Sequence, residues 1–259
     1  MSFDAELALE RVLSEGDEWQ SWRALRLTGE APGAPPVPAH QDQEGAFTGP
    51  SGRTSPGATG AGLCHLAVLG LGGSAPAVVA ADWLEGARTP AKAWLDAPDD
   101  MPGGRDTGGR ATQGGSRVWA TAAACSGLLA VGRDPGSRAF DLLRGEADVQ
   151  GRFTGGAYPT FAAAAAFWLA EGARTEMAEW ALRWAREVDG EEAGWGPSER
   201  SAALIFWAAA RLPSEHPSVE IFLDDLFAGG AQLCSDSPGG PCDLELSLRA
   251  LELLAYFDE

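Results

Sequence analysis

The segment from Gly151 to Gly172, GRFTGGAYPTFAAAAAFWLAEG, constrains the fold more than any other part of the chain. After a glycine-framed aromatic residue, Phe153, and a Gly-Gly turn, it continues almost without polar side chains and is rich in alanine, the strongest helix former. A helix that is apolar on every side has to be buried on every side. The run is also shorter than the roughly 20 apolar residues that a bilayer-spanning helix needs. The segment therefore predicts the inner helix of an all-helical protein, surrounded by other helices.

The charge balance narrows the classes of partner. The 259 residues include 37 acidic and 19 basic side chains, which gives a net charge of -18. A surface this negative repels nucleic-acid phosphates and anionic lipid heads. We therefore expect no nucleic-acid partner and no membrane-surface partner. An anionic small-molecule substrate stays compatible with this charge, because a local Arg cluster can override the global field. Charge and composition leave the oligomeric state open.

The N-terminus and the cysteines bear on location and on metals. The first residues, MSFDAELALERVL, lack the basic and apolar regions of a signal peptide, which predicts a cytoplasmic, reducing setting without a transmembrane segment. Cys64 and Cys125 lie in apolar runs and are expected to be buried thiols. Cys234 and Cys242 do not have the close spacing of a zinc site, so no metal site is predicted.

Apolar and amphipathic segments alternate along the chain. The clearest amphipathic segment is 175–188, where Met177, Trp180, Ala181, Trp184 and Val188 share one predicted buried stripe. The Pro- and Gly-rich stretch 28–58 and the Gly- and Asp-rich stretch 95–116 are predicted to be loops over the mouth of a pocket. The predicted helices cover residues 3–15, 17–27, 59–71, 75–86, 118–131, 137–143, the opening segment, 175–188, 201–212, 219–227 and 244–257.

A short unit recurs before the apolar helices. A glycine-flanked aromatic residue occurs in EGAF (Phe47), in GRF (Phe153) and in AGW (Trp195), with a degenerate copy in KAW (Trp94). Each is followed by an apolar helix and then by an outer amphipathic one. The period is about 40 residues over most of the chain, which is typical of helix-pair repeats. Closing these pairs into a ring buries every apolar helix. The sequence therefore predicts a single all-α domain over residues 1–259, an α/α toroid of about five to six helix pairs.

The repeated unit resembles the repeats of terpenoid cyclases and protein prenyltransferases. The segments that resemble them best are GRFTGGAYPTFAAAAAFWLAEG, GWGPSERSAALIFWAAARL and RVWATAAACSGLLAVGRDP, and the resemblance covers residues 45–257. It implies an α/α toroid and an enzyme that cyclises or rearranges an apolar, isoprenoid-type substrate through acid-initiated carbocations, or one that transfers a prenyl group. It implies no bound cofactor, except Mg²⁺ if the substrate is a diphosphate.

Several polar and aromatic residues are candidates for substrate binding, because the pocket of a toroid is lined by the first turns of its inner helices and by the adjoining loops. Aromatic faces suit carbocation chemistry, since they stabilise a nearby cation. The alternative is that these rings only pack the core. His65, on the first apolar helix, is either a ligand-contacting group or a hydrogen-bonded core histidine. The candidate substrate-binding residues are His65, Trp119, Tyr158, Phe161, Trp195 and Arg200.

Four carboxylates are candidates for catalysis. Asp99 and Asp100 are adjacent, so mutual repulsion and burial would raise the pKa of one of them and make it a general acid. Glu199 and Asp243 lie at the starts of inner helices, where a carboxylate also serves as a cap. A solvated acidic loop and simple capping are the alternatives for the two pairs.

Three functions are compatible with these features. The first is a terpene-cyclase-like enzyme. The second is a small-molecule-binding or scaffold protein that retains the toroid without catalysis, which is favoured because DAPDD (96–100) replaces the Asp-x-Asp-Asp motif of the cyclases. The third is a carbohydrate-active toroid, which requires two carboxylates about 5 to 9.5 Å apart across a groove.

Overall fold

The computed structural model describes residues 3–30, 33–103, 113–172, 175–189, 194–228, 233–234 and 242–258. These residues form helices, and pairing outside the helices is limited to isolated bridges such as Ala147 with Phe153. The predicted all-α class is confirmed. The helices are α1 (Ala5–Glu15), α2 (Glu18–Leu27), α3 (Pro56–Val68), α4 (Ala75–Gly86), α5 (Gln113–Ala130), α6 (Ser137–Arg144), α7 (Ala157–Glu171), α8 (Glu176–Asp189), α9 (Pro197–Ala209), α10 (Pro217–Ala228) and α11 (Leu244–Asp258).

Every predicted helix is present, and the main differences lie at the N-termini. Helix α3 begins at Pro56 because Ser55 caps it, with its hydroxyl accepting the N–H of Ala58, and because proline suits a first helical position. Helix α5 begins at Gln113, earlier than the predicted start at residue 118. The prediction missed the first turn because that turn includes glycines, which have a low helix propensity. Parts of the two predicted loops, residues 31–32 and 104–112, lie outside the described residues.

The chain divides into two compact units. The first comprises residues 1–39, 195–204 and 213–259, and the second comprises residues 40–194 and 205–212. The single domain predicted for residues 1–259 stays a prediction. Among the described residues, no helix combines the length and the apolar character that a membrane crossing requires.

In the first unit, a buried ion pair joins α2 to α11. The Arg23 guanidinium donates to both carboxylate oxygens of Glu252 at 2.7 Å, and its remaining nitrogen donates to Glu245 at 2.9 Å. Arg23 is 1% exposed and Glu252 is 5% exposed. Charges buried this deeply are tolerated because they are paired and hydrogen-bonded. The pair lies beside a small apolar core that includes Val12 and Leu248.

Also in the first unit, Cys234 and Cys242 form a disulfide with a Cα–Cα distance of 4.5 Å. Structural disulfides are rare in reducing compartments, so this bond does not favour the reducing setting expected from the sequence. Cys64 and Cys125 are free and fully buried, as predicted. Burial raises the pKa of both thiols far above the ordinary range, which makes them unreactive.

The second unit is built on a row of three apolar helices. Helix α3 packs against α5 and α5 packs against α7, while α4, α6 and α8 pack against α3, α5 and α7 respectively. Small residues allow the row to pack closely. A Cβ on Gly60 of α3 would lie 2.2 Å from the carbonyl oxygen of Ala123, and one on Gly127 of α5 would lie 2.4 Å from that of Gly60. Each helix of the row thus has one flanking helix packed against it.

A compact turn leads into α7. The Asp148 carboxylate accepts the N–H of Arg152 at 3.0 Å, and Gly151 at φ 89° closes the turn. A side chain on Gly151 would clash with the backbone of Trp180 at 2.4 Å, so the turn packs directly on α8. The backbone N–H of Phe153 then donates to the buried hydroxyl of Thr160 at 2.9 Å, which fixes the turn to the first part of α7.

The same hydrogen bond recurs at other helices. In each copy, the N–H of a loop residue donates to a hydroxyl on the next apolar helix, and we call this contact the loop–helix latch. In the second unit the latch also joins α3 and α5 to their preceding loops, and in the first unit it joins α11 to Cys234. The copies are Phe47 to Thr59 at 2.9 Å, Trp94 to Thr121 at 3.3 Å, Phe153 to Thr160 at 2.9 Å and Cys234 to Ser247 at 3.1 Å.

The predicted buried stripe of α8 is partly wrong. Trp180 is 36% exposed, whereas Leu182 and Ala185 are buried at 1% and 0%. The buried face is centred on Ala178, Ala181, Leu182 and Ala185, which share the i, i+3, i+4, i+7 spacing. The helical phase places Trp180 at the edge of this face. Its large apolar ring favoured a prediction of burial, but the size of a side chain does not determine which face of a helix is covered.

Removing one latch tests its contribution to stability. Thr160→Val keeps the side-chain shape but leaves the buried N–H of Phe153 without its acceptor. We expect the free energy of unfolding to fall by about 1 to 3 kcal/mol. The matched control is Thr154→Val, because the hydroxyl of Thr154 is exposed and its change should stay within about 0.5 kcal/mol. Urea unfolding measures both variants, and equal losses would contradict the role of the latch.

Candidate active site

The candidate site is centred on Asp96, which follows the latch residue Trp94 by two positions. Its Oδ2 accepts the hydroxyl of Ser55 at 2.9 Å and the backbone N–H of Gly57 at 3.0 Å. Both donors belong to the N-terminus of α3, where the helix dipole favours negative charge. Asp96 is therefore fixed at the start of the first apolar helix of the second unit.

The pKa of Asp96 is raised to about 7 from the ordinary aspartate value of 3.8. Burial is the largest cause, because removal from water disfavours the charged carboxylate. The hydrogen bonds from Ser55 and Gly57 oppose this rise, and the nearby charge of Asp100 adds to it. Asp96 can therefore hold a proton near neutral pH, which is the property a general acid needs.

Aromatic side chains form a continuous cluster in the same unit. The Trp119 ring contacts Tyr158 and Phe206 edge-to-face, with centroid distances of 6.1 and 6.0 Å. Phe161 continues the cluster from Tyr158 at 6.2 Å and contacts Trp207 at 5.9 Å. Edge-to-face packing of this kind fixes each ring in a defined orientation.

Gly57 joins the carboxyl group to the aromatic cluster. A Cβ on Gly57 would lie 2.1 Å from Nε1 of Trp119 and 2.6 Å from Oδ2 of Asp96. Both atoms therefore approach the same point above the glycine, and any side chain there would displace them. The acid and the first ring of the cluster lie next to each other for this reason.

The two predicted acids of the neighbouring loop have other surroundings. Asp99 is exposed. Asp100 is 3% exposed, accepts the hydroxyl and the N–H of Ser51, and forms an ion pair with Arg53 at 3.2 Å. These contacts attach the loop before α3 to the turn Pro98–Asp100. The catalytic roles predicted for Asp99 and Asp100 stay predictions.

Two of the predicted residues of the first unit, Asp243 and Arg200, have structural partners. Asp243 is exposed and caps α11, where it accepts the N–H of Leu246 at 3.0 Å. Arg200 pairs with Asp225 at 3.6 Å. Glu199 lies half-buried in the first turn of α9, and Trp195 is 3% exposed just before that helix.

The structure brings together three of the predicted substrate-binding residues, Trp119, Tyr158 and Phe161, in one cluster. His65 lies half-buried near the end of α3, far along that helix from Asp96 at its start. Sequence reasoning did not single out Asp96, whose pKa is raised. The available signal was its position two residues after the repeated aromatic Trp94, which the adjacent pair Asp99 and Asp100 obscured.

Phe206 and Trp207 were also missed as members of the cluster. They lie within the apolar run of α9, where nothing in the local pattern separates a ring that contacts Trp119 from one that fills the core.

Within the described part of the chain, no group of three His, Cys, Asp or Glu side chains is arranged to hold a metal ion. No protein-family model matches the chain, and no curated protein matches it significantly.

The raised pKa of Asp96 makes stability depend on pH with a defined sign. Between about pH 4 and pH 7 the folded state binds one proton more than the unfolded state, so the free energy of unfolding falls as pH rises. The contribution of this group reaches about 1.4 kcal/mol per pH unit at most. Asp96→Asn keeps an acceptor for Ser55 and Gly57 but cannot ionise.

We therefore expect Asp96→Asn to gain stability relative to the wild type as pH rises from 4 to 7, with a constant difference above that. Urea unfolding across this pH range measures the effect. Asp99→Asn is the control, because Asp99 is exposed and lies in the same segment. A stability difference between Asp96→Asn and wild type that does not vary with pH would rule out the raised pKa.

Proposed function

We propose that the protein is a terpene-cyclase-like enzyme that cyclises or rearranges an apolar, isoprenoid-type substrate, with Asp96 as the proton donor. The observation that supports this most is a carboxyl group with a pKa of about 7 next to a cluster of aromatic side chains. The proposal includes an α/α toroid, which the row α3–α5–α7 and the repeated loop–helix latch support.

The proposed reaction begins with proton transfer from Asp96 to a carbon–carbon double bond. The O–H bond of the carboxyl group breaks, the alkene π pair forms a new C–H bond, and the neighbouring carbon becomes a cation. A second double bond of the substrate then closes a ring by donating its π pair. Loss of a proton from the final cation to water or to the Asp96 carboxylate ends the sequence. The product is an isomer of the substrate, so no cofactor is consumed.

The aromatic cluster suits the cationic intermediates. A ring face stabilises a desolvated cation by about 0.5 to 2 kcal/mol, and several rings add further contributions as the charge moves. Trp119 borders the acid, while Phe161 and Trp207 extend the cluster away from it. Aromatic side chains also do not capture a carbocation as readily as water would, which suits a reaction that has to avoid premature quenching.

The surroundings of Asp96 have to keep the carboxyl group protonated before the reaction and to stabilise the carboxylate after it. Burial keeps the proton on the carboxyl group near neutral pH but also makes it a weaker acid. Hydrogen bonds from Ser55 and Gly57, and the positive end of the α3 dipole, stabilise the carboxylate that remains after proton transfer. Donors that are already in place require no reorganisation during the reaction.

A second candidate function is a binding or scaffold protein without catalysis. It is favoured by the contacts of the predicted acids, since Asp100 attaches a loop through Ser51 and Arg53 and Asp243 caps a helix. On this alternative, Asp96 only connects its loop to the start of α3. The two candidates differ in a single outcome, which is whether a bound isoprenoid is converted to a product.

Turnover assays test the proposal. The purified protein is incubated with neutral polyprenes and with polyprenyl diphosphates, each with and without Mg²⁺, and products are identified by gas chromatography with mass spectrometry. We expect an isomeric product whose rate of formation falls as pH rises through about 7, because Asp96 then loses its proton. We expect Asp96→Asn to lower the rate at least about 100-fold, as loss of a general acid does.

Asp99→Asn is the matched control and should retain its rate, since the side chain is exposed. Full activity in Asp96→Asn would contradict the assignment of the acid. Saturable binding of these substrates without any product would contradict catalysis and support the second candidate.

A further inference from the structure

The indole N–H of Trp119 is a buried donor with no acceptor. Trp119 is 2% exposed, and its Nε1 has no hydrogen-bond partner among the described residues. A buried N–H that is left unpaired is costly, so native structures seldom retain one without a reason. This donor lies at the candidate active site, which suggests that its acceptor is present in only one state of the protein.

The geometry identifies that acceptor. Nε1 of Trp119 and Oδ2 of Asp96 both lie within 2.6 Å of the point where a Cβ on Gly57 would stand, so the two atoms are neighbours across a glycine. The indole cannot turn away easily, because Tyr158 and Phe206 pack edge-to-face against it with interplanar angles of 80° and 88°. The N–H therefore lies near the carboxyl group without meeting hydrogen-bond geometry to it, so a small movement of the Asp96 side chain has to complete the contact.

We propose that Trp119 is a positioning residue for Asp96, and that its indole N–H donates to the Asp96 carboxylate once that group has lost its proton. When the O–H bond breaks, the proton leaves for the substrate or for water and the electron pair stays on the carboxyl oxygen. The charged oxygen is a stronger acceptor than the neutral acid, so the N–H···O⁻ hydrogen bond forms in this state. The inference rests on the proposed role of Asp96 as an acid and adds the residue that stabilises its ionised form.

Other groups near Asp96 also affect its ionisation. Ser55 and Gly57 already donate to Oδ2 from the start of α3. The charge of Asp100 disfavours ionisation of Asp96, and Arg53 forms an ion pair with Asp100. Trp119 adds a third donor, from α5, which is the helix that the Trp94–Thr121 latch attaches to the Asp96 loop.

The test is a direct titration of Asp96 by ¹³C NMR of its carboxyl carbon in the full-length protein. Trp119→Phe keeps an aromatic ring but removes the N–H, so the ionised carboxylate loses a charge-assisted hydrogen bond. We expect the pKa of Asp96 to rise by about one pH unit in this variant. Trp184→Phe, a substitution of another buried tryptophan on α8, is the control and should leave that pKa unchanged. An unchanged or lowered pKa in Trp119→Phe overturns the proposal.

A second measurement needs no substitution at Trp119. In the wild type, the ¹H shift of the Trp119 indole N–H should move downfield as pH rises through the pKa of Asp96, and Asp96→Asn should abolish that movement. An indole shift that does not respond to pH also overturns the proposal.

Neither experiment requires turnover, so absence of any isoprenoid product would contradict the proposed function while leaving this coupling measurable. Conversely, turnover that depends on Asp96 with no coupling to Trp119 would contradict this inference alone.

Discussion

The hydrogen bond between a loop N–H and a hydroxyl on the next helix attaches four loops of this protein to α3, α5, α7 and α11. Its most consequential copy joins Trp94 to Thr121. Asp96 follows Trp94 by two residues and Trp119 lies in the same turn of α5 as Thr121, so this contact holds the segment that contains Asp96 against the helix that contains Trp119. Gly57 allows the final approach, because it leaves its own Cβ position to Asp96 and Trp119. The candidate site therefore depends on one copy of the loop–helix latch, whose other copies attach loops to α3, α7 and α11.

Local periodicity was sufficient to predict the helices, because burial of an apolar stripe and helix propensity act over short stretches of chain. The repeated aromatic residues were also visible, since Phe47 and Phe153 follow a glycine that the turn requires at positive φ. The copy at Trp94 has Lys92 at φ 62° in place of that glycine, and it was recognised only as degenerate. Glycine is the residue expected at positive φ, so a lysine in that place does not indicate from sequence that the same turn is present.

The candidate site was predicted less well than the fold. Trp119, Tyr158 and Phe161 were predicted to bind substrate because the starts of inner helices line a toroid pocket, and the structure shows only that their rings form one cluster. The catalytic roles predicted for Asp99, Asp100, Glu199 and Asp243 stay predictions, and Asp96 was not among the predicted residues. Adjacent carboxylates suggest a raised pKa through repulsion, whereas the raised pKa of Asp96 comes chiefly from burial. Burial of a loop residue depends on which helix covers it, and that is a tertiary property that no local pattern records.

The proposed function depends most on Asp96, which is expected to hold a proton near neutral pH next to the aromatic cluster. Infrared difference spectroscopy measures this most directly, because a protonated carboxylic acid has a C=O stretching band that a carboxylate lacks. With ¹³C-labelled aspartate, we expect a band of a protonated carboxylic acid at pH 6 that disappears on titration through about pH 7 and is missing in Asp96→Asn. A spectrum at pH 6 that contains only carboxylate bands, and that is the same in Asp96→Asn, would contradict it.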